Sequence, residues 1–309
     1  MGRFILPPMV IGKANAAGDA GRRWLEDLDG IVAELEQMWK IKVGKALFGG
    51  SHALVGAAVG MDGTQYALKV DLPDGDISEF RRAAHMLAAA DGRGYAKIYA
   101  CDENRRAVLM ERLGGTLREA GYPPERQMEI ICGALDETWR IDPGAVSAQM
   151  PDGEASIAWF RRFIPDMRQK TGMPCGRIVD RALQYLAERE KYLNRENWVI
   201  LHGDAHNNNM LRVPGSGRFK LIDPEGVFYE REYDLGVLMR EWPDEYAADP
   251  VRAGRERARF LSDLTGAHEQ GIWQWGYLQM VSTALILVSI GENALGRQML
   301  RIAQAWCEE

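Results

Sequence analysis

The chain has 309 residues, 46% of them apolar, and carries a formal charge of −6 with a pI near 5.6. This is the composition of a soluble globular protein of about two domains. Its acidic balance argues against a nucleic-acid binder, which usually presents a basic face, and suits a cationic small-molecule partner.

The N-terminal "MGRFILPPMVIGKANAAGDAG" is broken by Pro7 and Pro8 and reads as an irregular start, too short in its apolar part for a signal peptide. "GDAGRRWLEDLDGIVAELEQMWK" then places Trp24, Leu28, Ile31, Leu35 and Met38 at helical spacing. The period changes in "KVGKALFGG", "SHALVGAAVGMDGTQYALKVDL" and "YAKIYACDENRRAVLMERL", which read as strands. Asp62-Gly63 marks a hairpin, and Asp102-Glu103-Asn104 marks a second tight connection. Between the third and fourth strands "DISEFRRAAHMLAAA" is a helix with Ile77, Phe80, Ala84 and Leu87 on one face, capped by Asp76 or Ser78. Beyond Gly114-Gly115, helical patterns dominate at about 124–140, 156–170, 177–194, 232–241, 252–265, 269–290 and 293–307. Short extended pieces interrupt them at "NWVILHG", "NMLRV" and "RFKLID". No apolar run approaches the roughly 20 residues that span a membrane, and "MVSTALILVSIG" reads as a buried helix. The tryptophans of "WQWGYLQM" belong to the core or line a substrate cleft. Cys101, Cys132, Cys175 and Cys307 lie far apart with no CxxC, so they are expected to be reduced, buried thiols in a cytoplasmic protein. The expected class is α+β. A small antiparallel sheet with one helix, residues 1–113, is followed by a larger, mostly helical part, residues 114–309.

Three charged features fall at strand ends or within strands. Lys69 in "YALKVDL" is either a snorkelling strand-edge side chain or a lysine that reaches nucleotide phosphates, held by a carboxylate of the following helix. Glu79 is the expected partner, ahead of Asp76. "VILHGDAHNNNM" puts two histidines, an aspartate and three asparagines behind an apolar run: a metal cluster, a catalytic loop or a polar turn. Asp204 at the strand end can accept a proton from an attacking hydroxyl, and Asn209 can offer its carbonyl to magnesium. Asp223 in "FKLIDPEG" supplies the charge that Asn209 lacks.

Together these stretches resemble the aminoglycoside phosphotransferases and related small-molecule kinases of protein-kinase-like fold. "HGDAHNNN" is similar to their H-G-D-x-H-x-x-N loop, "LIDPEG" to their I-D-x metal element, and "EYDLG" to their E-x-D-L segment. "LHGDAHNNNML", "LIDPEG" and the "LPDG" turn most resemble the streptomycin 6-phosphotransferase and hydroxyurea-kinase branch. The resemblance implies a two-lobe fold with ATP, or GTP, between the lobes. Asp204 would be the catalytic carboxylate, His202 its orienting neighbour, and Asn209 and Asp223 the Mg²⁺ ligands. Lys69 would contact phosphates with Glu79 as ion-pair partner, and Asp234 would brace the loop. Backbone groups at Glu111 to Leu113 would bind adenine beside Met110. His206 stands where protein serine/threonine kinases usually carry lysine, which favours a small-molecule kinase. The phosphate loop would use Gly49, Gly50 and Ser51, although "FGGSHALVG" does not follow G-x-G-x-x-G. No P-loop motif and no A-P-E segment are present.

The resemblance implies an ATP- and Mg²⁺-dependent O-phosphotransferase of an aminoglycoside such as streptomycin, an antibiotic-inactivating activity. Hydroxyurea or another small hydroxylated metabolite is the alternative acceptor. Asp204, Glu225 and Glu241 are the candidate substrate contacts, with Asp244 and Glu245 either further contacts or a solvated turn. The rival from another class is a metallohydrolase using His202, Asp204 and His206. No nucleic-acid or membrane partner is expected, and the chain would act as a monomer or dimer.

Overall fold

The structure, a computed structural model, describes residues 3–47, 52–73 and 76–309. The phosphate-loop expectation at Gly49, Gly50 and Ser51 lies outside the described residues, as does half of the "LPDG" turn. The chain divides into two compact units, Met1–Gly115 with Leu211–Asp223, and Thr116–Met210 with Pro224–Glu309.

The first unit opens with helices α1 (Pro8–Ala16) and α2 (Gly18–Trp39) and strands β1 (Ile41–Ala46), β2 (Ala53–Gly60) and β3 (Gln65–Asp71). Helix α3 (Ile77–Ala90) and strands β4 (Ile98–Asp102) and β5 (Ala107–Glu111) follow. The irregular start expected for the N-terminus is instead helical. Pro8 sits in the first turn of α1, where the proline lacks only an N–H that no helix bond needs. In α2 the buried stripe is Trp24, Leu28, Val32 and Leu35. Met38, expected on that stripe, is 52% exposed, because the helix turns it off the sheet.

The five strands form one antiparallel sheet in the order β1-β2-β3-β5-β4. Asp62 shapes the β2–β3 hairpin, accepting from the Thr64 N–H (2.9 Å). Successive side chains on a strand point to opposite faces. Leu68 and Val70 therefore enter the core with Trp24, Leu28, Val32, Leu54 and Leu109. Lys69 and Asp71 share the opposite face. In α3 the Asp76 side chain caps the helix by accepting from the Ser78 N–H (3.1 Å), and Phe80, Ala84 and Leu87 are buried.

The second unit holds α4 (Pro124–Thr138), α5 (Pro143–Val146), α6 (Gly153–Thr171), α7 (Gly176–Glu190) and strand β6 (Val199–Leu201). The short strands β7 (Met210–Arg212) and β8 (Phe219–Leu221) pair with each other. Their segment belongs to the first unit from Leu211 to Asp223, whereas a joint at residue 113 assigns it to the helical part. Backbone bonds explain this: Leu221 accepts from the Ala96 N–H (2.9 Å) and donates to Gly94 (2.8 Å).

Strand β9 (Val227–Tyr229), too short to be read from periodicity, pairs antiparallel with β6. Helices α8 (Glu232–Arg240), α9 (Pro250–Thr265), α10 (Glu269–Ser289) and α11 (Asn293–Cys307) complete the unit. Helix α10 is buried on all sides from Gly271 to Ser282 and packs on α8, α6 and α11. Trp273 and Trp275 are fully buried core residues. Within this core Arg189 forks onto Glu230, whose Oε1 also accepts from Trp275 Nε1 (2.6 Å). All four cysteines are free, but Cys101 is exposed on β4 rather than buried. Among the described residues no helix is long and apolar enough to cross a membrane.

Candidate active site

In the first unit, Lys69 Nζ lies 3.0 Å from Asp223 Oδ1 and 3.0 Å from Asp71 Oδ1. The Asp223 contact is a directed hydrogen bond, while the Asp71 contact is an ion pair without that alignment. Burial disfavours a charged amine, but Asp223 and Asp71 more than offset it and raise the Lys69 pKa. Burial pushes the Asp71 pKa up, and Lys69 offsets only part of that. Asp223 has φ +54°, the left-handed region. For a non-glycine residue that costs about 1–3 kcal/mol and is concentrated at functional sites.

The expected partner of Lys69, Glu79, is exposed in the first turn of α3 and makes no ion pair with it. The carboxylate two residues along the same strand face, Asp71, stands there instead. Met110 and Leu113 are buried. The Glu111 backbone N–H already donates to Lys97 (2.7 Å), and its carboxylate holds Lys220 Nζ (2.6 Å) and the Lys97 N–H (3.1 Å). The Glu111 backbone N–H is thus already engaged within the first unit.

In the second unit, the loop after β6 is organised by Asp234 of α8. This fully buried carboxylate accepts from the His202 N–H (3.0 Å), the Gly203 N–H (2.7 Å) and Trp139 Nε1 (3.0 Å). Burial pushes its pKa up, and His202 and the three donors offset that in part. His202 is wholly buried, and its Nδ1 accepts from the Asp204 N–H (3.1 Å). That nitrogen therefore carries no proton. The His202 carbonyl accepts from the Glu225 N–H (2.8 Å). Gly203 has φ +90°, and a Cβ there would lie 2.9 Å from Glu225 Cβ, so only glycine fits the turn that presents Asp204.

Asp204 has a basic neighbour at each oxygen. Oδ1 accepts from Arg240 Nη2, and Oδ2 lies 3.4 Å from His206 Nε2. Burial pushes the Asp204 pKa up, but His206 and Arg240 outweigh it and hold the carboxyl well below the usual carboxylate range. Burial lowers the His206 pKa, and Asp204 outweighs it, leaving the ring above the ordinary imidazole value. His206 Nδ1 accepts from the Asn208 N–H (3.2 Å), a bond that protonation would break.

The three asparagines divide the work of holding the loop. Asn207, 5% exposed, donates to Gln127 Oε1 of α4 (2.9 Å). Asn208 contributes its backbone N–H to His206. Asn209 Nδ2 donates to the Asp204 carbonyl (3.0 Å), which fixes the amide and leaves Oδ1 as an oxygen donor. Asn209 Oδ1 in the second unit and the Asp223 carboxylate in the first are each a hard oxygen donor of the kind magnesium takes.

The convergent metal reading of His202, Asp204 and His206 does not hold. Among the described residues no group of three His, Cys, Asp or Glu side chains could hold a metal ion. His202 and His206 each direct Nδ1 at a backbone N–H of the loop instead. Glu225 is exposed beside Gly203, and Glu241 Oε1 lies 3.7 Å from Arg240 Nε. Asp244 and Glu245 are engaged elsewhere, Asp244 by Gln298 Nε2 (2.8 Å) and Glu245 by the buried Arg257. Arg240 was not a sequence candidate. Its only signal is a single arginine closing the apolar run "LGVLM".

Taken by itself, the loop of the second unit holds a fixed carboxylate that can accept a hydrogen bond from a hydroxyl, and the first unit holds a buried lysine with two carboxylate neighbours. Residues 38–288 match the family model described as aminoglycoside/hydroxyurea antibiotic resistance kinase. A streptomycin 6-kinase of Streptomyces glaucescens is 26% identical, over 96% of this chain and 95% of that protein. A hydroxyurea phosphotransferase of Kitasatospora aureofaciens is 26% identical, over 93% of this chain and 81% of that protein. Among solved structures, aminoglycoside phosphotransferase APH(4)-Ia in ternary complex with ADP and hygromycin B superposes with a TM-score of 0.60. It covers 89% of this chain and 97% of that one at 16% identity, a likeness of fold. The fold is protein-kinase-like, the protein is a small-molecule phosphotransferase of the aminoglycoside kind, and the chain belongs to the aminoglycoside/hydroxyurea antibiotic resistance kinase family.

Proposed function

We propose that the protein transfers the γ-phosphoryl group of ATP, in a magnesium-dependent reaction, to a hydroxyl of a small cationic acceptor, an aminoglycoside of the streptomycin kind. The observation that carries this reading is Asp204, a carboxylate kept anionic on a loop braced by Asp234 and His202. An anionic carboxylate can accept a hydrogen bond from the acceptor hydroxyl and aim its oxygen at the phosphoryl group. Phosphoryl transfer is loose, so positioning and electrostatics carry most of the acceleration and little base strength is needed. Lys69 would hold phosphate oxygens, and Asn209 and Asp223 would hold magnesium. When bound, the ion neutralises charge developing on the phosphate oxygens. Glu225 and Glu241 add negative charge near Asp204, which suits an ammonium or guanidinium group on the acceptor.

The test is ADP release from magnesium-ATP with streptomycin, other aminoglycosides and hydroxyurea offered in turn. Streptomycin or a related aminoglycoside should stimulate release, with a phosphorylated product in the mass spectrum. Asp204→Ala should retain ATP binding and lose about 10²–10⁴-fold in transfer. Stimulation by hydroxyurea alone would replace the proposed acceptor, and an active Asp204→Ala variant would overturn the role of that carboxylate.

A further inference from the structure

Arg240 closes α8 with its guanidinium turned inward, and every nitrogen faces an acceptor. Nη2 donates to Asp204 Oδ1, and Nη1 donates to Gln279 Oε1 (2.9 Å) and Thr283 Oγ1 (3.0 Å) of α10. Nε lies 3.7 Å from Glu241 Oε1. The side chain is 15% exposed, against 30% for the Asp204 carboxylate it holds. The seat is rigid, since Gln279 is buried and α10 runs through the core of the unit. An arginine fork anchored on two side chains of a buried helix fixes direction as well as charge, which a lysine ammonium cannot do.

We propose that Arg240 is a positioning residue for phosphoryl transfer: it pins Asp204 Oδ1 to α10 and leaves Oδ2 as the oxygen that orients the acceptor hydroxyl. This deepens the kinase reading and rests on it. The more exposed carboxylate is approached from inside by the guanidinium, so its outer side is the one an acceptor can reach. His206 Nε2, 3.4 Å from Oδ2, borders that oxygen. Arg240 also offsets one negative charge in a cluster that includes Glu225 and Glu241. Asp204 can then orient a hydroxyl without acting as a strong base, in keeping with a loose transition state.

The experiment compares the parent with Arg240→Met, Arg240→Lys and Thr283→Val, in acceptor-stimulated ADP release and in unstimulated magnesium-ATP hydrolysis, where water is the acceptor. A misplacement of about 1 Å at a reacting group can lower turnover about 10²-fold. Arg240→Met should lower kcat by about that factor for acceptor and water alike, with KM for ATP within about threefold of the parent. Arg240→Lys restores the charge without the fork and should recover kcat only in part. Thr283→Val, which keeps the arginine but removes one anchor, should lie between Arg240→Lys and the parent. If Arg240→Met does not fold, the lysine and valine variants decide alone. A kcat of Arg240→Lys and Thr283→Val equal to the parent's, or losses confined to KM for ATP, would overturn the inference while the kinase reading stands. A parent that turns over neither acceptor nor water would remove both.

Discussion

Lys69 has two carboxylate neighbours at the same distance, and they differ in what else they can do. Asp71 is two residues away on the same strand face, so the pair is built into β3 and persists whatever binds. Asp223 sits in a left-handed turn outside β3 and, in the proposed reading, would be shared between Lys69 and magnesium. Asp71 is then the carboxylate that keeps the Lys69 amine in place. A hydrogen bond to a charged group contributes about 1.5–3 kcal/mol, and the unaligned Asp71 ion pair stands at the low end of that range. Asp71→Asn should accordingly raise KM for ATP by about tenfold or more. Glu79→Gln, exposed on α3, should leave it within about twofold, measured by ADP release across an ATP series. The reverse ranking would return Lys69 to Glu79. Asp204, Asn209 and Asp223 could be singled out in the sequence because each lies in a short contiguous motif with its own chemistry. Asp71, Arg240 and Asn207 could not. Asp71 reads as an ordinary strand-end acid, and the partners of Arg240 and Asn207 lie 36 and 80 residues away, set only by tertiary packing.

The helix that carries Asp234 and Arg240 is held by its approach to α10. A Cβ at Gly276 would lie 2.5 Å from Met239 Cβ, and one at Gly236 would lie 2.7 Å from Trp275 Cβ. Gly276 faces Met239 and Gly236 faces Trp275, each across a contact too tight for a Cβ. Gly276→Ala should therefore lower stability by about 1–3 kcal/mol, the usual range for overpacking. It should also reduce kcat, since displacing α8 moves both the brace and the fork of Asp204. Gly133, exposed within α4 with nothing within 4 Å of its would-be Cβ, is the opposite case. Gly133→Ala should raise stability by about 0.5–1 kcal/mol through helix propensity alone. Thermal melts of the two variants check both signs, and a melting temperature unchanged by Gly276→Ala would mean that α8 is not seated by this contact. Helices such as α10 were legible because an apolar run that is hydrophobic on all sides has few fates besides the core. Helix α1 was not, because Pro7 and Pro8 read as breakers until the second one is seen to start the helix. Strand β9 was not, because three residues carry no period.

For the molecule as a whole, the acid limb of stability is a contest between groups shifted in opposite directions. Burial raises Asp71, Glu230 and Asp234, so each penalises the charged form, and that penalty eases as the pH falls through its folded pKa. Glu36 works the other way. Arg3 forks onto it (2.6 and 2.9 Å) and the Val43 N–H donates to it (2.7 Å), lowering its pKa from 4.5 to about 2. A carboxylate with a depressed folded pKa stabilises the fold when ionised. Its contribution is complete above about pH 4.5 and is lost between there and about pH 2. The pair also ties Arg3 to α2 and to the first residues of β1. Arg3 is 30% exposed, and solvent screening reduces the contribution to on the order of 1 kcal/mol. Glu36→Gln should thus be less stable than the parent by about 1 kcal/mol at pH 7, with the difference shrinking steadily below pH 4.5. Thermal melts from pH 7 to pH 3 at low salt would show the two curves converging. A gap that stays constant across that range would assign the loss to packing of the Glu36 side chain, because only the ionised carboxylate carries the proton linkage.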